Sequence, residues 1–192
     1  SNPNGPWAYG STPTLGGAFT PYAFKSTQSG LQFWESSPGG NQLPNIGHNP
    51  TASTIVFAST VFLAGEVSLH PGPHNEYGVA RFIVPITGTY TLDSSFNMRS
   101  NSPFATNSTD VHVMLTSNSV VTELYGGTVT GLNDMDSFST SLFLHANDTV
   151  DFSDSSGFQA AGVSRLPLAA VKIALKDDLR ASAVDHGLAF AQ

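Results

Sequence analysis

The residues with the most chemistry to offer stand close together in the segment LHPGPHNEY, residues 69–77. His70, His74 and Glu76 fall within seven residues, and two imidazoles and a carboxylate at such spacing are ligands for zinc or another transition metal. Pro71 and Pro73 stiffen the backbone between the two histidines, so a tetrahedral site would draw a further ligand from elsewhere. His112, with Asp110 beside it, is the candidate. The local alternative is that His70 hydrogen-bonds to backbone groups that a turn leaves unpaired. Two oxygen-rich groups follow: Asp134 and Asp136 beside Asn133, then Asp148, Asp151 and Asp154. Calcium takes such hard ligands, so beyond that metal set a structural calcium ion is the cofactor these groups would hold, and no organic cofactor is expected. Neither group has EF-hand spacing, and a solvated acidic loop is the ordinary reading of both.

Binding without chemistry is the other use of such a chain. Aromatic rings stack on sugar faces while amides and carboxylates bond the hydroxyls, and Trp7, Tyr9, Trp34, Tyr77 and Tyr125 are the candidate rings, with Tyr22 a further one. At least half must instead fill a core, because two packed sheets need large apolar side chains between them. Trp7 and Tyr9 share one face of any strand, as either a core edge or an exposed platform. For catalysis the signals are thin. The glutamates are Glu35, Glu66, Glu76 and Glu123, with no spacing that marks a pair. No Walker loop, HExxH, GxGxxG or GxSxG segment occurs. The chain reads as non-catalytic.

Composition narrows the partners. Seven basic residues face fourteen acidic ones for a net charge of −7, and no basic stripe exists to neutralise nucleic-acid phosphates. No run approaches the ~20 apolar residues of a spanning helix. Cysteine is absent, which removes disulfides, thiolate metal sites and cysteine nucleophiles together. Charged residues make up 11% of the chain, against about 25% in an average soluble domain. Ser, Thr, Asn and Gly supply the polar surface instead, as suits an extracellular β-protein.

The elements that must position these residues are short strands between Gly, Pro and Asn turns. Residues 67–98 organise the chain as strand, turn, strand, turn, strand. Tyr90, Leu92, Ser94, Phe96 and Met98 alternate with polar neighbours, the pattern of a half-buried antiparallel strand. Residues 79–84 are apolar enough to be covered on both faces. Strands are expected at 19–24 paired with 31–35, at 54–63, at 110–117 turning at Asn118-Ser119 into 120–125, at 137–144, at 150–152 and at 168–175. Phe33 and Trp34 face opposite sides, one in the core and one under a loop or open to a ligand. Residues 36–50 read as a long polar loop holding His48, and Gly126-Gly127 reads as a strand break. The architecture is all-β: one antiparallel β-sandwich, jelly-roll-like, over residues 1–175. Residues 176–192 read as a short C-terminal helix or tail, with Leu179, Val184, Leu188 and Phe190 able to seat it on its own sandwich or on a neighbouring copy.

Six segments in order, NPNGPWAYG (2–10), FW (33–34), LHPG (69–72), ARFIVPITGTYTL (80–92), TDVHVML (109–115) and LHANDTVDF (144–152), resemble a β-sandwich domain of secreted bacterial proteins of the PEP-CTERM sorting class. The resemblance covers roughly residues 2–175. It implies an exported, non-catalytic, jelly-roll-like domain tied to exopolysaccharide or the bacterial cell surface. The Pro-Glu-Pro motif itself does not occur in these residues. The expectation is therefore a secreted carbohydrate- or matrix-binding module. The alternative is a structural subunit that self-assembles into a filament, sheath or surface layer, with the tail as its contact.

Overall fold

A computed structural model describes residues 1–40, 42–58, 60–99, 108–155 and 167–175. In chain order the strands are β1 (Trp7–Thr12), β2 (Thr20–Pro21), β3 (Phe24–Gln28), β4 (Leu31–Glu35), β5 (Asn45–His48), β6 (Ile55–Phe57), β7 (Thr60–Phe62), β8 (Val67–His70), β9 (Tyr77–Ile83), β10 (Gly88–Met98), β11 (Ser108–Ser117), β12 (Val120–Thr130), β13 (Met135–Leu144), β14 (Thr149–Ser155) and β15 (Pro167–Leu175). A six-stranded sheet has the order β12-β11-β14-β9-β1-β2, and a seven-stranded sheet β13-β10-β15-β8-β5-β4-β3; β6 and β7 form a separate hairpin. Every pairing is antiparallel. From β8 to β15 the chain changes sheets at every connection except the β11–β12 hairpin, the winding of a jelly-roll-like sandwich. Among the described residues there is no helix. The C-terminal helix and its contact residues Leu179, Val184, Leu188 and Phe190 lie outside the described residues.

The core follows from alternation. On β10, Tyr90, Leu92, Phe96 and Met98 point between the sheets, facing Val111, Val113, Val150 and Phe152 from the opposite layer. β9 is covered on both faces, with Ala80 and Phe82 inward and Val79 buried on the other side. The β11–β12 turn has positive φ at Asn118 and Ser119 (50° and 64°), the geometry that twists with a two-residue hairpin.

The structure corrects the sequence reading in three places. The strand that pairs with β4 begins at Phe24 instead of running over 19–24. The expected loop 36–50 contains β5, buried at all four residues, so His48 is a strand residue. β12 runs straight through Gly126-Gly127. Phe33 and Trp34 take opposite sides as expected, both buried: Trp34 enters the main core, while Phe33 packs with Leu31 and Phe62 beneath the β6–β7 hairpin. Asn49 ties that hairpin down, its Nδ2 donating to the carbonyls of Phe62 and Leu63 at 3.1 and 2.9 Å.

Candidate functional site

Because Val150 and Phe152 face the core, Asp151 between them and Ser153 after them face out of the six-stranded sheet. Their cross-strand neighbours share that face. One row is Glu123, Met114, Asp151, Arg81 and Ala8; the next is Gly126, His112, Ser153, Val79 and Gly10. Five strands thus bring together residues up to 118 positions apart in the chain, from Ala8 to Gly126.

Two fixed polar pairs occupy these rows. Arg81 grips Asp151 with both ends of its guanidinium, Nε to Oδ1 and Nη2 to Oδ2, each 2.7 Å. The fork geometry orients the planar cation, and the Phe19 ring lies 4.0 Å from its Cζ. In the next row His112 Nδ1 is 2.8 Å from Glu123 Oε1. A register shift between Val113 and Met114 puts Glu123 beside this histidine, and Gly126 opposite His112 leaves the space its carboxylate enters. Tyr77, the next outward residue of β9, sets its ring edge-on to His112 with centroids 6.0 Å apart. Residues 13–19 cross this face from β1: Phe19 covers Gly10, and Gly16 approaches Met114 and Val121.

The arrangement offers flat rings flanked by oriented donors and acceptors. It does not offer an activated nucleophile. Ser153 stands opposite His112, but it is 2% exposed and its hydroxyl makes no hydrogen bond, so the imidazole is not placed to take its proton.

Of the residues proposed from sequence, Tyr77 alone among the rings lies on this face. Trp7, Tyr9 and Trp34 are 5%, 0% and 1% exposed: they fill the core and form no exposed platform, with Tyr9 and Trp34 packed at a 4.3 Å centroid separation. Burial also drives the Tyr9 hydroxyl far above its usual range. Tyr22 is core as well. Tyr125 stacks on Phe138 at the sandwich edge, 5.2 Å between centroids. Burial first, then its bond to Asp136, pushes the Tyr125 phenol up to about 12.

The proposed metal ligands disperse. His70 is buried with Nδ1 3.0 Å from the Pro71 carbonyl, the local role. His74 is exposed, and Glu76 turns back to accept from the His74 N–H at 2.8 Å. Asp134 closes the turn before β13 by accepting from the Thr130 N–H at 2.6 Å, a bond that holds its carboxyl below the usual range. Asp136 accepts from the Ser137 N–H. Asp148 accepts from the His145 N–H, Asp151 belongs to Arg81, and Asp154 points into the core. Among the described residues no three of His, Asp and Glu gather as a metal-binding group.

Arg81, Glu123 and Phe19 were missed as site residues, and Asp151 was read only as one of an oxygen-rich set. The alternation of β9 marks Arg81 as outward, but its pairing with Asp151 depends on which strands become neighbours.

No protein-family model and no curated protein matches the sequence. Among solved structures, one described as "CBM4 structure and function" is 14% identical, covering 64% of this chain and 78% of that one with a TM-score of 0.37. The N-terminal cellulose-binding domain of Cellulomonas fimi β-1,4-glucanase C is 13% identical, covering 93% of this chain and all of that one, with a TM-score of 0.35. The enzymatically active domain of bacteriophage CBA120 tailspike protein 4 is 10% identical, covering 89% of this chain but 19% of that one, at 0.36. Likenesses this loose carry no argument about ligand or activity, and the fold stands on the strand pairing itself.

Proposed function

We propose that this chain is a non-catalytic, extracellular module that binds carbohydrate or matrix polysaccharide on the outer face of its six-stranded sheet. The observation that carries the reading is the adjacency of two oriented pairs, Arg81–Asp151 and His112–Glu123, with the Tyr77 ring beside them. A pyranose presents an apolar C–H face and a rim of hydroxyls that both donate and accept. Rings meet the first; fixed carboxylate, imidazole and guanidinium groups meet the second without ordering cost at binding. The net charge of −7 favours a neutral glycan over a polyanionic one. A surface poor in charge and rich in hydroxyls supports the extracellular assignment.

Affinity electrophoresis of the intact protein against a panel of neutral polysaccharides tests this. Retardation by at least one of them, lost in Tyr77→Ala and His112→Ala while the melting temperature holds, is the expected result. No retardation by any polysaccharide, confirmed on a broad glycan array, sinks the function; binding indifferent to both substitutions sinks the site.

A further inference from the structure

The sandwich has four sheet edges, and three are protected in the ways that keep edges from pairing. β2 is two residues long. β3 carries the exposed Lys25. β12 carries the outward Glu123, two glycines and a register irregularity against β11. The fourth, β13, has none of these. It is ten residues long, in continuous register with β10 from Met135 to Leu144, and free of Pro and Lys. Its one charged residue, Asp136, sits near its start and is engaged by Tyr125. Among the described residues no strand lies on its other side.

The side chains around this edge are those of a surface awaiting cover. Leu132, Met135 and Phe143, three of the ten exposed large hydrophobic residues among the described ones, lie on β13 or the turn before it. Phe138 and Leu142 point inward but are only partly buried, because the two sheets stop there.

We infer that β13 pairs antiparallel with β13 of a second copy of this chain, joining two seven-stranded sheets into one. A two-fold interface must be self-complementary, and β13 is close to palindromic about Thr140. With Thr140 opposite its own copy, Ser139 faces Ser141, Phe138 faces Leu142, and Ser137 faces Phe143. No charge meets a like charge, which matters in a chain with a net charge of −7. Each Phe138 and Leu142 is completed by the other copy, extending both cores across the junction.

Light scattering across a concentration series tests the pairing on the full chain, with two variants. Ser139→Lys/Ser141→Lys sets lysine opposite lysine in both symmetric pairs, a like-charge opposition that destabilises strand pairing. Ser139 is exposed and bonded to the Asp93 carboxylate, so a lysine there keeps a partner within its own copy. Thr140→Cys places the only cysteine of the molecule at the two-fold axis. The expected results are a dimer for the wild type, at least a tenfold weaker dimer for the lysine variant, and a disulfide-linked dimer when Thr140→Cys is oxidised. A wild type monomeric at every concentration overturns the inference. So does a dimer that the lysines leave intact and that Thr140→Cys does not cross-link.

Discussion

Gly126 stands directly opposite His112 on the β11–β12 ladder, and Glu123 reaches the imidazole through the space its missing side chain leaves. A Cβ at position 126 would lie 3.3 Å from His112 Nδ1 and against the Glu123 carboxylate. The glycine is not needed for backbone conformation, since its φ is not positive. Gly126→Ala is therefore expected to dislodge Glu123 and weaken glycan retardation as much as Glu123→Gln does, with a melting temperature within a few degrees of wild type. A variant that keeps full affinity would show that the His112–Glu123 pair is no part of the binding face.

Arg81 carries a different balance. Its guanidinium side chain is 20% exposed while Asp151 is 7% exposed, so Arg81→Met strands a nearly buried carboxylate. Breaking a fully buried pair costs about 3–5 kcal/mol, and the remaining access to water lowers the expectation here to about 2–3 kcal/mol. Arg81→Met/Asp151→Leu should recover most of that. Urea unfolding of the three proteins reads the difference, and a double variant no more stable than the single one would contradict the account.

Three buried titratable groups set the pH dependence. Burial pushes His70 down to about 4, opposed by its bond to the Pro71 carbonyl; burial, then the charge of Lys25, pushes His48 down to about 4. Both are neutral when folded, so the unfolded chain binds more protons between about 4 and the ordinary histidine value near 6.5. Stability is full above that window and falls as pH drops through it, by about 3 kcal/mol for His70 alone. Asp154 acts with the opposite sign. Burial holds its carboxyl well above the usual range, opposed by its own N–H and that of Gly78. The folded chain keeps a proton that the unfolded chain releases, and stability falls as pH rises from about 4 through the folded value. Melting temperature against pH should therefore pass through a maximum. Asp154→Asn is expected to flatten the alkaline side and to steepen the acid side, where the carboxyl opposes the two histidines above about pH 4.

The β11–β12 turn has room for improvement. Ser119 holds φ at 64°, a region that L-residues other than Asn and Asp enter at a cost. Ser119→Gly makes the Asn-Gly pair favoured in such turns and should stabilise the protein by about 0.5–1 kcal/mol, measured by the denaturant midpoint. An unchanged or lowered midpoint would mean that the turn carries no strain to relieve.

Much of this fold was legible because single strands announce themselves. The alternation in β10 gave that strand and its inward face, residues 137–144 were expected as a strand, and Asn118-Ser119 gave its hairpin. β5 was not legible: its four residues include Gly47, His48 and Asn45, and only Ile46 is apolar. They form a strand because β4 and β8 pair with them on either side. The rings Trp7, Tyr9 and Trp34 were legible as aromatic but not as core, since burial is decided by the opposing sheet. The outer-face site was the least visible part. His112 meets Glu123 only because β11 and β12 shift register between Val113 and Met114, and Arg81 meets Asp151 only because β9 and β14, seventy positions apart at that pair, become neighbours.

β4 gives the molecule an uneven mechanical layout. Its adjacent residues Phe33 and Trp34 serve two different cores, the small one roofed by the β6–β7 hairpin and the large one between the sheets. The hairpin is fastened mainly by Phe62 and by the Asn49 amide, so it can lift as a unit while the sandwich stays closed. Native-state hydrogen exchange should then resolve two tiers: β6 and β7 exchanging by local opening, and β9, β10 and β14 only when the whole domain unfolds. Among the described residues, proteases and chaperones would meet this protein first at its roof.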